Sequence, residues 1–131
     1  MPLGRTAYLS AFAFKGAVDT ITCETVTARV AEKLNLDIHN LEPHSWHFPT
    51  LNGNGDGEIG FTYVQPCTAS AFIWDVWPEH VGGYFIALLC VDHDPGTICE
   101  VLETAGLEVV DLDGSCLTLT NGISRMMEKL K

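Results

Sequence analysis

Basic residues are scarce in this chain: seven lysines and arginines stand against seventeen aspartates and glutamates in 131 residues, a formal charge of -10. That balance repels phosphate backbones and anionic membrane surfaces, which argues against nucleic acid as a partner and suits a neutral or cationic small molecule. Long apolar runs are missing too. The apolar patch from Ala7 to Phe14 ends at Lys15, is too short to span a bilayer and is followed by no secretory cleavage site, so no membrane association is expected. Five cysteines, Cys23, Cys67, Cys90, Cys99 and Cys116, form no CxxC pair and sit mostly inside apolar segments, the pattern of reduced thiols in a cytoplasmic protein. With no repeat, low-complexity tract or linker, residues 1–131 read as one domain, long enough to bury a core.

Two motifs imitate metal sites and fail as such. Asn52, Asn54, Asp56, Gly57 and Ile59 resemble the opening of a calcium loop, but the twelfth position is Tyr63 instead of Glu and the flanks read as strands. The stretch from 51 to 58 is therefore expected to be a Gly- and Asn-rich hairpin connection. His44 and His47 are three apart in a segment that reads as a strand, so they point to opposite faces, and no second compact pair completes a tetrahedron. No metal is expected.

The periodicities predict a mixed fold. In TAYLSAFAF, residues 6–14, Tyr8, Ser10, Phe12 and Phe14 share one phase of a first strand. Asp19 or Thr20 caps a helix carrying Cys23, Val26, Val30 and Leu34 on its inner face. A strand over 41–49 ends at Pro49, a third runs from Glu58 to Val64, and Ala71–Trp77 and Tyr84–Val91 make a central pair joined by Pro78, Glu79, His80 and a Gly82-Gly83 turn. Both phases of Ala71–Trp77 are apolar, which predicts a central strand covered on both faces. Asp94-Pro95 starts a second helix with Ile98, Val101, Leu102 and Ala105 inward, closed by Gly106. Strands at 107–112 and 115–119 and a terminal helix over 123–131 complete the order β-α-β-β-β-β-α-β-β. The expected fold is α+β, a two-layer sandwich with helices on one face of a mainly antiparallel sheet.

Within the central stretch Pro66–Pro95 the candidate chemical groups are few: Ser70, Asp75, Glu79 and Cys90. Cys90 in an apolar strand reads equally as a small core residue. Asp75, flanked by Trp74, Val76 and Trp77, either finds a partner or takes a raised pKa, the mark of a functional carboxylate, or else points outward at a strand end. Ser70 by itself says nothing beyond a turn.

WHFP, TASAFIWDVWPEH with its Trp77-Pro78-Glu79, and Cys90 followed by Asp92, His93 and Asp94-Pro95 are the most specific pieces of the chain. In register they resemble the small prokaryotic S-adenosylmethionine decarboxylases, which make their own pyruvoyl cofactor. The spacing from Ser70 to Cys90 also matches the family's spacing from pyruvoyl-forming serine to catalytic cysteine. The resemblance implies that Ser70 is the pyruvoyl precursor, that Cys90 reprotonates the product, that Glu79 holds the ribose hydroxyls and that Phe48 and Trp77 flank the adenine. It also implies a homodimer in which a neighbouring protomer can complete the pocket.

Two departures bear on reactivity. The family's Glu-Ser-His at the cleavage point is Ala69-Ser70-Ala71 here, and Asp75 stands where the family has a processing histidine. A carboxylate replaces an imidazole there only if burial raises its pKa. Five residues along a regular strand also put Ser70 and Asp75 on opposite faces, so their cooperation requires a bulge or turn near residue 70. The sequence therefore carries two expectations: a self-processing decarboxylase of S-adenosylmethionine or a related amino acid, or an unprocessed paralogue that binds that ligand for other chemistry or for regulation.

Overall fold

A computed structural model describes residues 6–38, 41–49, 59–67, 70–111 and 116–119. In chain order the elements are β1 (Ala7–Lys15), α1 (Thr20–Lys33), β2 (His44–Pro49), β3 (Ile59–Cys67), β4 (Ser70–Trp77), a 3-10 turn (Pro78–His80), β5 (Gly82–Leu89), α2 (Pro95–Thr104), β6 (Glu108–Asp111) and β7 (Cys116–Leu119). The strands form one sheet in the order β2-β3-β4-β5-β1-β6, with β7 beside the other half of β1. Every described pair is antiparallel. The fold is an α+β two-layer sandwich, as the periodicities predict. The loop 51–58 and the predicted terminal helix lie outside the described residues.

Alternation decides which side of the sheet is inside. Ser10, Phe12 and Phe14 of β1, Phe61 and Tyr63 of β3, Phe72, Trp74 and Val76 of β4, and Phe85, Ala87 and Leu89 of β5 are all buried. They face the helices, whose inner stripes are Cys23, Val26, Thr27, Val30 and Ala31 on α1 and Ile98, Cys99, Val101 and Leu102 on α2. Both helices start on the expected caps: Asp19 accepts from the Thr22 amide, and Asp94 accepts from the Gly96 amide with Pro95 in the first turn. At the centre the Trp74 and Phe85 rings meet edge to face at 4.8 Å, while the Trp74 indole N–H donates to Thr27 Oγ1 at 2.8 Å and ties α1 to the sheet.

Three expectations are corrected. Strand β4 is central, but the described helices cover only one of its faces. On the other side Ile73 and Ile86 are half-buried, and Leu88 and Tyr84 are 40% and 51% exposed. Gly82 and Gly83 are not the turn; they are the first two residues of β5. A Cβ on Gly82 would lie 2.3 Å from the Phe14 carbonyl oxygen and one on Gly83 2.1 Å from that of Asp75, so both glycines serve close strand approach. The turn closes instead at Val81, whose φ is +49°. Finally, β3 runs on through Pro66 to Cys67: among the described residues β2 pairs with it only as far as Val64, so no described strand pair on that side calls for an amide at Pro66.

Candidate functional site

The end of β4 that begins at Ser70 lies against the residue that follows β5. Cys90 donates its backbone N–H to Ser70 Oγ at 3.1 Å, and the Ser70 hydroxyl lies 3.5 Å from Cys90 Sγ. Antiparallel register produces this meeting: Ala71 pairs with Leu88, which sets Ser70 across from Leu89 and brings Cys90, one residue farther, to the same end of the sheet. Cys90 is exposed, unlike Cys23, Cys67 and Cys99, so it is not the small core residue that an apolar strand allows. The site contains a hydroxyl, a thiol and a backbone donor.

The connection leaving Cys90 doubles back over the helix side of the sheet. His93 lies half-buried with its Nε2 2.6 Å from Ser10 Oγ on β1 and its Nδ1 3.3 Å from the Val91 carbonyl oxygen. A carbonyl only accepts, so Nδ1 carries the proton, and in the neutral ring Nε2 is the acceptor for the Ser10 hydroxyl.

Asp75 is not part of this group. Ser70 shares the phase of Phe72, Trp74 and Val76, whereas Asp75 lies on the uncovered face, roughly 17 Å farther along the strand at about 3.3 Å per residue. Strand β4 alternates regularly from its first residue, and no described bulge brings the two together. The partner of Asp75 is Thr62 on β3, whose Oγ1 donates to it at 3.4 Å. Trp74 and Val76, its neighbours in sequence, point away from it into the core.

Phe48 and Trp77 do meet, at the same distant end of β4. Their ring centroids are 5.4 Å apart at 59°, so in this arrangement they touch each other. Gly60 makes the contact possible. It pairs with Phe48 on β2 and sits one strand from Trp77, and a Cβ there would come within 2.6 Å of the Phe48 ring. A hollow of about 190 Å³ lined by Ala13, Phe14, Trp77, His80, Gly82, Gly83 and Tyr84 adjoins them. Glu79 is the middle residue of the 3-10 turn directly after Trp77. The predicted residues thus fall into two groups, Ser70 with Cys90 at one end of β4 and Phe48, Asp75, Trp77 and Glu79 toward the other.

No family model matches the sequence, and no curated protein matches it significantly. Among solved structures, an adenosylmethionine decarboxylase from Aquifex aeolicus is similar in architecture, with 15% identity over 88% of this chain and 89% of that one and a TM-score of 0.48.

Two other concavities are separate from the serine–cysteine pair, the second of them lined by Val76 and Pro78 on either side of Trp77 in sequence. A groove of about 470 Å³ runs between α1 and α2 past Arg29, Lys33, Glu32 and Glu100, and a cavity of about 450 Å³ opens beside the start of α1, between Val18, His47, Phe61 and Val81. Neither is lined by Ser70 or Cys90. Among the described residues no three His, Cys, Asp or Glu side chains converge to hold a metal, and no helix is long and apolar enough to cross a membrane. Sequence reasoning missed Gly60, Ser10 and the role of His93. Of these only His93 had a signal in the sequence, in the run Cys90, Asp92, His93, by resemblance.

Proposed function

We propose that this chain is a decarboxylase of S-adenosylmethionine or a related amino acid, processed at Ser70 and working as a homodimer. The observation that carries the reading is the Ser70–Cys90 pair: two residues twenty apart in sequence, matched in spacing to a serine precursor and a catalytic thiol, meet within 3.5 Å. Residue 70 fits a pyruvoyl precursor, since it lies at a strand end beside a thiol and an N–H donor. When formed, that group supplies an electron sink for the substrate carbon that loses carbon dioxide. Cys90 holds a proton within reach of residue 70, and its N–H orients an oxygen there. Phe48 and Trp77 supply aromatic faces for an adenine, and Glu79 an acceptor for ribose hydroxyls.

The separation of the two groups favours a dimer. Roughly 23 Å of strand divides Ser70 from Trp77, more than one nucleoside with an amino-acid arm can bridge. The uncovered sheet face between them carries Ala11, Ile73, Ile86 and Leu88, an apolar surface suited to a second sheet packed about 10 Å away. A two-fold axis in that interface, running across the strands, reverses strand direction and brings the end of the sheet that carries Cys90 over the aromatic end of the partner, with the Ser70 side chain on the helix side of that end.

Intact-mass analysis of the purified protein tests the processing. The expected result is two pieces, divided before Ser70, and one uncut chain in Ser70→Ala. A single species near 14.3 kDa that is indifferent to that substitution sinks this reading. A second reading, an uncut S-adenosylmethionine-binding paralogue, is favoured by one observation: Asp75, at the position of the processing histidine, faces away from Ser70. Calorimetry on an uncut chain decides it, with heat from S-adenosylmethionine or its decarboxylated form supporting the paralogue and no heat from either overturning it.

A further inference from the structure

We propose that His93 is a positioning residue for the Cys90 thiol, using buried Ser10 as its anchor. The inference rests on reading Cys90 as the functional thiol of the site. After Leu89 the chain leaves the sheet, and among the described residues 91–94 form no strand pair before α2 begins. Such a connection is free to rock unless side chains tie it down.

His93 ties it at two points. Its Nε2 reaches across to Ser10 Oγ, which is fully buried on β1, beside Ala87 of β5. That strand sits in the middle of the core and does not move independently of it. From this fixed point Nδ1–H holds the carbonyl of Val91, the residue directly after Cys90. On the other side of the thiol, the Cys90 amide is held by Ser70 Oγ. The chain is therefore restrained on both sides of Cys90, at its own amide through β4 and at the Val91–Asp92 peptide through His93, which narrows the positions open to the thiol. The two bonds of His93 do not involve Ser70, so this role is the same in a cut or an uncut chain.

The chemistry demands a histidine here. Only a neutral imidazole presents a donor on one side and an acceptor on the other, about one ring width apart and with no rotatable bond between them. Substitution frees the loop from one anchor or both.

The experiment measures alkylation by iodoacetamide, site by site through peptide mass mapping, in the full chain and in Ser10→Ala, His93→Ala and His93→Gln. Ser10→Ala removes one bond and is expected to make Cys90 react roughly five-fold faster, the factor that corresponds to one lost hydrogen bond, and His93→Ala, which removes both, is expected to exceed it. Buried Cys23 and Cys99 serve as internal controls and are expected to keep their rates. His93→Gln, whose amide retains the reach to Ser10 but gives up the Val91 bond, is expected to react at a rate between those of the wild type and His93→Ala. An unchanged or slower rate at Cys90 in both alanine variants overturns the proposal, as does parallel acceleration of Cys23 and Cys99, which reports general loosening. Absence of chain cleavage in the same samples counts against the proposed decarboxylation and leaves this result standing.

Discussion

Two polar side chains buried on the helix side of the sheet have opposite consequences for stability. Thr27 accepts the Trp74 indole N–H at 2.8 Å in the core. Thr27→Val keeps the shape and strands that N–H, so a loss of about 1–3 kcal/mol is expected from the urea midpoint. Tyr63 is buried with its hydroxyl unpartnered among the described residues. Tyr63→Phe therefore removes an uncompensated polar atom and is expected to be neutral or to stabilise by up to about 1 kcal/mol at neutral pH. The same two neighbourhoods set the alkaline limit. Burial, reinforced by Glu24, pushes the Tyr63 phenol up from 10.0 to about 12, and burial beside Asp19 pushes the Cys23 thiol up from 9.0. Both groups are held neutral in the folded chain and ionise more readily when unfolded. Their stabilising contribution is thus complete below about pH 9 and is lost as pH rises from there through the folded values. Urea titrations between pH 8 and 12 are expected to show this decline, with Tyr63→Phe shallower above pH 10.

The turn between β4 and β5 is where element-level reading and structure part company. A Gly-Gly pair after Pro-Glu-His reads as the residues that supply positive φ, yet the residue at φ +49° is Val81, and the glycines lie in the strand. Sequence shows that glycine is needed but not whether for a dihedral or for close approach; the Phe14 and Asp75 carbonyls decided it, and both are remote in sequence. A β-branched residue in the left-handed region is strained, and Val81 is 56% exposed, so little packing offsets the strain. Val81→Gly is expected to stabilise the fold by about 1 kcal/mol, seen as a higher Tm. No change or a lower Tm would place the strain elsewhere. Elsewhere the elements were readable, because each has one clear period: Ser10, Phe12 and Phe14 alternate, and Cys23, Val26 and Val30 recur with the helix. The site was half legible. Ser70 and Cys90 carried a spacing that the register turned into contact, whereas Ser10 and His93 are 83 positions apart and joined by a loop path that no period encodes. Gly60 was hidden for the same reason, since its need for a missing Cβ comes from where the Phe48 ring lies.

At the scale of the molecule, apolarity and charge oppose each other. The sheet face that the described helices leave open presents Ile73, Ile86, Leu88 and Tyr84, while each chain carries a formal charge of -10. Two copies brought sheet to sheet bury the first and double the second. Burial is short-ranged and changes little with salt; the repulsion between net charges is long-ranged and fades once the screening length falls to about 8 Å at physiological ionic strength. The proposed dimer is therefore expected to tighten as salt rises, opposite to an assembly held by ion pairs. Sedimentation equilibrium in low and high salt reads this directly, with a mass of twice 14.3 kDa favoured in high salt. Leu88→Glu separates the face from the fold: the side chain is 40% exposed and points away from the helices, so the variant is expected to keep its secondary structure and sediment as a monomer at both salt concentrations. A wild-type chain that stays monomeric throughout, or a Leu88→Glu dimer as tight as wild type, removes this face as the meeting surface. Either result would leave the serine–cysteine and aromatic ends of β4 too far apart to share one ligand.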